Sequence, residues 1–220
     1  MNKKILILAA LAVMLFAACG DGSYTPKPEA YLRINMPEHD YWLVDTLPMG
    51  DEYLTLPFIF EANDSAELKL KRPRQVATVS ASGVKYEKLP PSKFNEVWLD
   101  INYPQWNGVV FLTYRRMLSP DSLRGQVDMS YRLLEQHFNF SSGVEEQQFE
   151  NPENRVFATT YHIKGRNVAS TYQFWATDSV KHFLCGALYI NESPNNDSLA
   201  PVLDYLQQDV DHLIETLRWK

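Results

Sequence analysis

Cysteine, glycine and positive charge are all scarce in this chain of 220 residues, and each shortage removes a class of function. Of two cysteines, Cys19 belongs to the leader described below, so Cys185 stands alone and neither a disulfide framework nor a cysteine-rich metal centre is expected. Nine glycines leave few backbone cradles, and there is no phosphate-binding Gly-rich loop, no dinucleotide fingerprint and no Gly-x-Ser-x-Gly elbow. Bases number 21 against 27 acids, a net charge of -6, and Lys3 and Lys4 leave with the leader. Such a surface offers no field for a phosphate backbone, so nucleic acid is not an expected partner. His39, His137, His162, His182 and His212 are scattered, with no His-x-x-x-His pair, and no zinc site is expected. These shortages predict no catalytic set, no cofactor and no metal, and hydrolase and nucleotide-dependent enzymes lose ground. What remains is an ordinary globular composition, 45% hydrophobic, 13% aromatic and 22% charged.

The first 18 residues read as a lipoprotein signal peptide. Lys3 and Lys4 supply a positive start, and Ile5 to Ala18 carries no charge but is shorter than the roughly 20 residues that a membrane-spanning helix needs. Phe16-Ala17-Ala18-Cys19 resembles a bacterial lipobox, with small residues placed for close approach of a peptidase to extended backbone. Cys19 is the expected lipidation site: its thiol takes a diacylglycerol, its freed amine a third acyl chain such as palmitate, and several chains hold where one binds marginally. Residues 19–28 are then the acylated cysteine and a Gly- and Pro-punctuated tether reaching at most about 30 Å. No later apolar run is long enough to span a bilayer, and acids crowding the cysteine as in a surface-export tag are missing. The reading is therefore a lipid-anchored protein facing the periplasm, with the outer membrane as the expected membrane.

Residues 29–220 read as a single α+β domain. Alternation predicts strands over Tyr31–Met36, Pro57–Phe60, Leu68–Lys71 and Val97–Tyr103, the last turning at 104–108 into an apolar strand over Val109–Tyr114. Arg72 to Pro91 reads as loop with one strand near Ala77–Ser80. Ser119-Pro120-Asp121 opens a predicted helix with Leu123, Val127, Tyr131, Leu134 and Phe138 on one stripe. Arg155–Ile163, Val168–Ala176 and Val180–Ile190 predict a meander at the centre of the sheet. A closing helix opens at Asn196-Asp197-Ser198, takes Pro201 in its first turn and places Leu199, Val202, Leu203, Leu206, Val210, Leu213, Ile214 and Leu217 on one face. The order implies an antiparallel sheet covered by helices. It resembles the Mog1/PsbP-like sandwich, an analogy of fold that carries no function.

Polar candidates each have a plain structural reading. Cys185 sits in an apolar strand as an inert thiol, and His162 and His182 as half-buried strand residues. Glu145-Glu146 and the pair Asp209 and Asp211 read as solvated acids. Lys69, Lys71, Arg72 and Arg74 form a basic run that protects an edge strand or meets an anionic partner. Trp42, Trp106 and Tyr103 fall at turns and strand ends, as core closures or as interface anchors.

Several segments carry a resemblance across nearly the whole mature chain: Tyr31-Leu32-Arg33-Ile34, Leu56-Pro57-Phe58, Asn102-Tyr103-Pro104, Lys181 to Tyr189, Asn195 to Val202, and His212 to the closing Arg218-Trp219-Lys220. Together they resemble the gliding motility lipoprotein GldD family of Bacteroidetes, with Cys185 standing where a polar or basic residue is expected. The resemblance implies a non-enzymatic accessory of gliding motility, lipid-anchored in the cell envelope beside type IX secretion proteins, which would be its partners. The expected mechanism is a tethered adaptor. The alternative is a periplasmic module binding a small ligand or glycan, with Trp42, Trp98, Trp106 or Trp175 as a stacking surface; a deep pocket with converging polar groups favours that reading, an uncovered apolar patch the adaptor.

Overall fold

The computed structural model describes residues 36–49, 52–71, 76–80, 83–87 and 95–220. The leader, Cys19, the tether and the predicted strand from Tyr31 lie outside them, except for Met36, which is not in a strand. All the described residues fall in one compact unit.

The architecture is α+β, with three antiparallel sheets. β1 (Tyr41–Met49) and β2 (Glu52–Asn63) form a hairpin, and β12 (Arg218–Trp219) adds to the other edge of β2. Between Val44 and Thr46 the β1–β2 register shifts, and Pro57, which has no N–H to give a ladder, lies in the stretch of β2 that the shift leaves unpaired to β1. β4 (Val76–Ser80) and β5 (Gly83–Glu87) make a separate hairpin in the segment expected to hold one strand. The main sheet has seven strands in the order β3-β6-β7-β11-β10-β9-β8. They are β3 (Glu67–Lys71), β6 (Glu96–Tyr103), β7 (Gly108–Arg116), β8 (Gly143–Asn151), β9 (Val156–Lys164), β10 (Tyr172–Thr177) and β11 (His182–Ile190).

The predicted strands that fall among the described residues mostly stand; β1 (Tyr41–Met49) is a further strand that the alternation does not mark, and three corrections apply. β11 is the middle strand, flanked by β7 and β10, whereas β9 lies second from the edge. β10 begins at Tyr172 rather than Val168, because residues before it loop back and the Thr171 carbonyl accepts from the Ile163 N–H at 2.8 Å. β8 was not foreseen: Gly143-Val-Glu-Glu-Gln-Gln-Phe-Glu-Asn has almost no apolar content because it is an exposed edge, where charge discourages pairing with another chain.

Register places Leu99, Leu112, Gly186 and Phe174 on one face of the sheet. That face joins β1, β2 and helix α2 (Asn196–Thr216) in the main core. The stripe of α2 behaves as its spacing predicts: Val202, Leu206, Val210, Leu213 and Ile214 are buried, each aliphatic chain stabilising by about 2 kcal/mol. Pro201 lies in the second turn, not the first, with its ring toward solvent. The Asn196 Nδ2 donates to the carbonyls of Gly165 (2.7 Å) and Val168 (3.0 Å), tying the start of α2 to the β9–β10 connection.

The opposite face carries Tyr161, Ile163 and Trp175, packed with Leu134 of helix α1 (Ser122–Glu135). The predicted α1 stripe is only partly realised. Leu134 alone is fully buried, Leu123 and Val127 are half-buried, Tyr131 is exposed, and Phe138 lies past the helix in a short 3-10 turn. Ser119 does not cap with its side chain; its carbonyl accepts from the Ser122 N–H and hydroxyl, so a tight turn precedes the helix.

Candidate functional site

The densest polar constellation among the described residues lies where the chain runs into β1. Asp209 sits on the apolar stripe of α2, three residues after Leu206 and four before Leu213, and is 4% exposed. This corrects the expectation that Asp209 and Asp211 are solvated: a carboxylate at helical spacing within the stripe is carried inside with it. Asp209 Oδ1 accepts from the Tyr41 hydroxyl (3.0 Å) and the Asn63 amide (3.1 Å), and lies 2.7 Å from His39 Nδ1. Its Oδ2 is buried without a hydrogen-bond partner among the described residues. Asn63 also donates to the Tyr205 hydroxyl (3.1 Å), while its own oxygen accepts from the Ser65 N–H and hydroxyl.

Rings reinforce these bonds. His39 stacks on Tyr205 with centroids 4.0 Å apart, and Tyr41 on His212 at 3.6 Å. His212 Nε2 in turn meets Glu61 Oε2 at 2.7 Å. Burial, then the charge of Asp209, pushes the phenols of Tyr41 and Tyr103 far above the ordinary tyrosine range. Asp211, also half-buried, bonds the Tyr172 hydroxyl and is pushed above the usual carboxylate range, burial being the main cause. Phenols held protonated are donors rather than bases or nucleophiles, so the constellation acts as a latch: His39 and Tyr41 fasten the start of β1 to α2. Breaking it would strand a buried carboxylate, which makes it costly to open.

The residues singled out from sequence are not gathered at one place. Trp42 is exposed on β1; Trp106 packs on Tyr205 at 4.8 Å; Trp175 donates to the Tyr161 hydroxyl at 3.3 Å from the opposite face of the sheet; Trp98 is half-buried on β6. No two of these four indoles stack among the described residues. β3 is an edge strand, as the reading of Lys69 and Lys71 requires, and Lys71 is occupied by Asp100 (2.9 Å) and by the ring of Phe111. Arg72 and Arg74 lie outside the described residues. Glu145 and Glu146 are exposed on β8, the first paired with Lys164. His182 is buried, bonded to the Tyr114 hydroxyl at 2.9 Å and stacked on Trp219, and His162 is half-buried. The Cys185 thiol is half-buried, and burial pushes its acidity down, so it is a poor nucleophile.

An uncovered apolar surface occupies one stretch of chain. Leu118 (88% exposed), Met129, Tyr131, Leu133, Phe138 and Phe140 (65%) all fall on α1 or its flanking turns. Beside Leu133 a cleft of about 190 Å³ lies between α1 and the sheet, lined by Phe111, Leu133, Cys185 and Tyr189 with Ser130 and Gln173.

No helix among the described residues is long and apolar enough to cross a membrane. No group of three His, Cys, Asp or Glu side chains among them is placed to hold a metal. Neither a curated protein nor a solved structure matches the chain. The sequence profile of gliding motility lipoprotein GldD, however, matches residues 21–219, which takes in the latch, α1 and the last strand, and the chain belongs to that family of gliding motility lipoproteins.

Proposed function

We propose that the protein is a tethered adaptor of the gliding motility machinery. In this reading Cys19 is acylated and holds residues 20–28 at the outer membrane, and a single domain over 29–220 faces the periplasm. The domain docks a protein component of the motility and type IX secretion apparatus and supports its assembly or stability. The observation that carries the reading is the uncovered apolar surface of α1, since an apolar patch of this kind on a soluble domain marks a contact surface. The latch supports it from the other end, because a chain fixed at His39 and Tyr41 gives the tether a defined point of attachment. Glycan binding has less support: no two of Trp42, Trp98, Trp106 and Trp175 stack among the described residues, and Trp98 and Trp175, which share one face of the main sheet, stand three strands apart in one cross-strand row.

A photo-crosslinking residue placed at Leu133 in the acylated, full-length protein at native expression tests the reading. Motility or secretion proteins should be captured there and not from a probe at Lys69 on β3. Equal capture from both positions, or none from Leu133, would refute the adaptor surface.

A further inference from the structure

A second cleft lies beside the last strand, away from the latch. It measures about 480 Å³ and is lined by Arg155, Lys181, Arg218 and Lys220, with the acids Glu153 and Asp178. Trp219 and His182 complete its wall, their rings stacked at 5.2 Å, and the Trp219 indole N–H donates to the Arg155 carbonyl at 3.1 Å.

The charges are not balanced locally. Lys220 is paired with Asp45 at 3.5 Å, but Arg155, Lys181 and Arg218 form no ion pair with any described residue. Asp178 is largely spent. Burial works against its charge, yet its Oδ1 accepts from three successive backbone N–H groups, of Val180 (2.9 Å), Lys181 (2.7 Å) and His182 (2.8 Å), and its carboxyl is held below the usual carboxylate pKa range. Glu153 is then the one exposed acidic side chain in the cleft lining, beside three cations that form no ion pair among the described residues, although the Arg155 guanidinium also donates to the Asp178 carbonyl at 3.5 Å, in a chain whose net charge is -6.

The backbone around the cleft is held in unusual conformations. Arg155 (φ 52°) and Ser179 (φ 66°) are two of three non-glycine residues with positive φ among those described, and they sit on the β8–β9 and β10–β11 turns that supply Arg155 and Lys181. Left-handed backbone at residues with a Cβ persists only where surrounding structure enforces it, and it clusters at binding sites.

We propose that this cleft binds a phosphate group borne by a small molecule or by a lipid headgroup. Three cations from three separate segments suit the three oxygens of a phosphate, whereas a carboxylate engages one guanidinium fork and leaves the others idle. The volume exceeds that of phosphate alone and leaves room for the group carrying it.

The test uses the full-length acylated protein in neutral detergent micelles, reading the ¹H–¹⁵N indole resonance of Trp219, assigned with Trp219→Phe. Inorganic phosphate should shift the resonance saturably, with half-saturation at about 1 mM or below. Acetate at equal ionic strength should not. Lys181→Gln and Arg218→Gln should each weaken binding by about tenfold; both side chains are exposed, and an otherwise unchanged spectrum shows that the fold is kept. Micelles doped with phosphatidic acid in place of phosphatidylcholine distinguish the sources: a matching shift assigns a headgroup, and a response to inorganic phosphate alone assigns a soluble ester. No saturable shift with either probe, an equal response to acetate, or full binding in the Lys181→Gln, Arg218→Gln double variant would overturn the site.

Discussion

At the scale of the residue, Asp209 is where stability and organisation meet. Replacing it with Ala removes the shared acceptor of His39, Tyr41 and Asn63, leaving buried donors unsatisfied, and should cost about 2–4 kcal/mol. Urea unfolding of wild type and Asp209→Ala measures it; a loss within about 0.5 kcal/mol, the usual size of a surface change, would show that the latch contributes little. His182 supplies a second test, this time in pH. Burial lowers its proton affinity, Asp178 opposing and Arg116 and Lys181 reinforcing, while Tyr114 and Trp219 pack against the ring. The folded state thus binds the proton less readily than the unfolded chain. Stability from this group is complete above the unfolded value of about 6.5 and is lost as pH falls from there through the lower folded value. The urea midpoint should therefore drop between pH 7 and pH 5, and His182→Gln should flatten part of that slope, His137 contributing in the same sense. An unchanged slope in the variant would exclude His182 as a source. Neither site was legible residue by residue. The Asp209 signal, a carboxylate at stripe spacing, was present in the sequence, but its partners stand 146 to 170 positions away and only the fold brings them to it.

Elements were legible in proportion to how one-sided their burial is. The α2 helix and β6 each bury most of one face, and their periods of 3.6 and 2 announced them. β8 was hidden because an edge strand open to solvent needs no apolar alternation, and α1 misled in the opposite way, presenting a stripe that is fully buried only at Leu134. That excess of apolar residues over buried positions is what the proposed docking role of α1 rests on. In the sheet itself, Gly186 shows how tightly strands and core are fitted. A Cβ there would meet the Phe174 ring and come within 2.8 Å of Leu112 Cδ2, so the glycine is required by close approach across the central strands. Gly186→Val should destabilise the protein by about 1–3 kcal/mol as Phe174 is driven from its rotamer. Thermal unfolding would show this as a lowered midpoint, and an unchanged midpoint would mean that the Phe174 ring has space to move.

At the scale of the whole molecule, the proposed adaptor divides one task among the anchor, the latch and the α1 surface. In that reading the anchor at Cys19 would confine the domain to a shell near the bilayer, the latch would fix where the tether joins it, and the proposed partner surface on α1 would search a layer rather than a volume. Within such a layer the effective concentration of the domain is high, so a modest affinity at α1 suffices, and the anchor matters chiefly through concentration. This separates the two parts by experiment. Cys19→Ser should leave the fold intact and abolish partition into the detergent phase, and at native expression it should impair gliding. Raising its expression should restore gliding, because abundance substitutes for confinement. Leu133→Lys combined with Phe140→Lys should behave in reverse: membrane attachment is kept, and overexpression does not rescue, because the contact itself is lost. Rescue of the double lysine variant by abundance would place the partner contact elsewhere on the domain. Failure of abundant Cys19→Ser to rescue would mean that attachment acts by orienting the domain through the latch and not by concentrating it. In that case Cys19→Ser and Asp209→Ala should impair gliding alike.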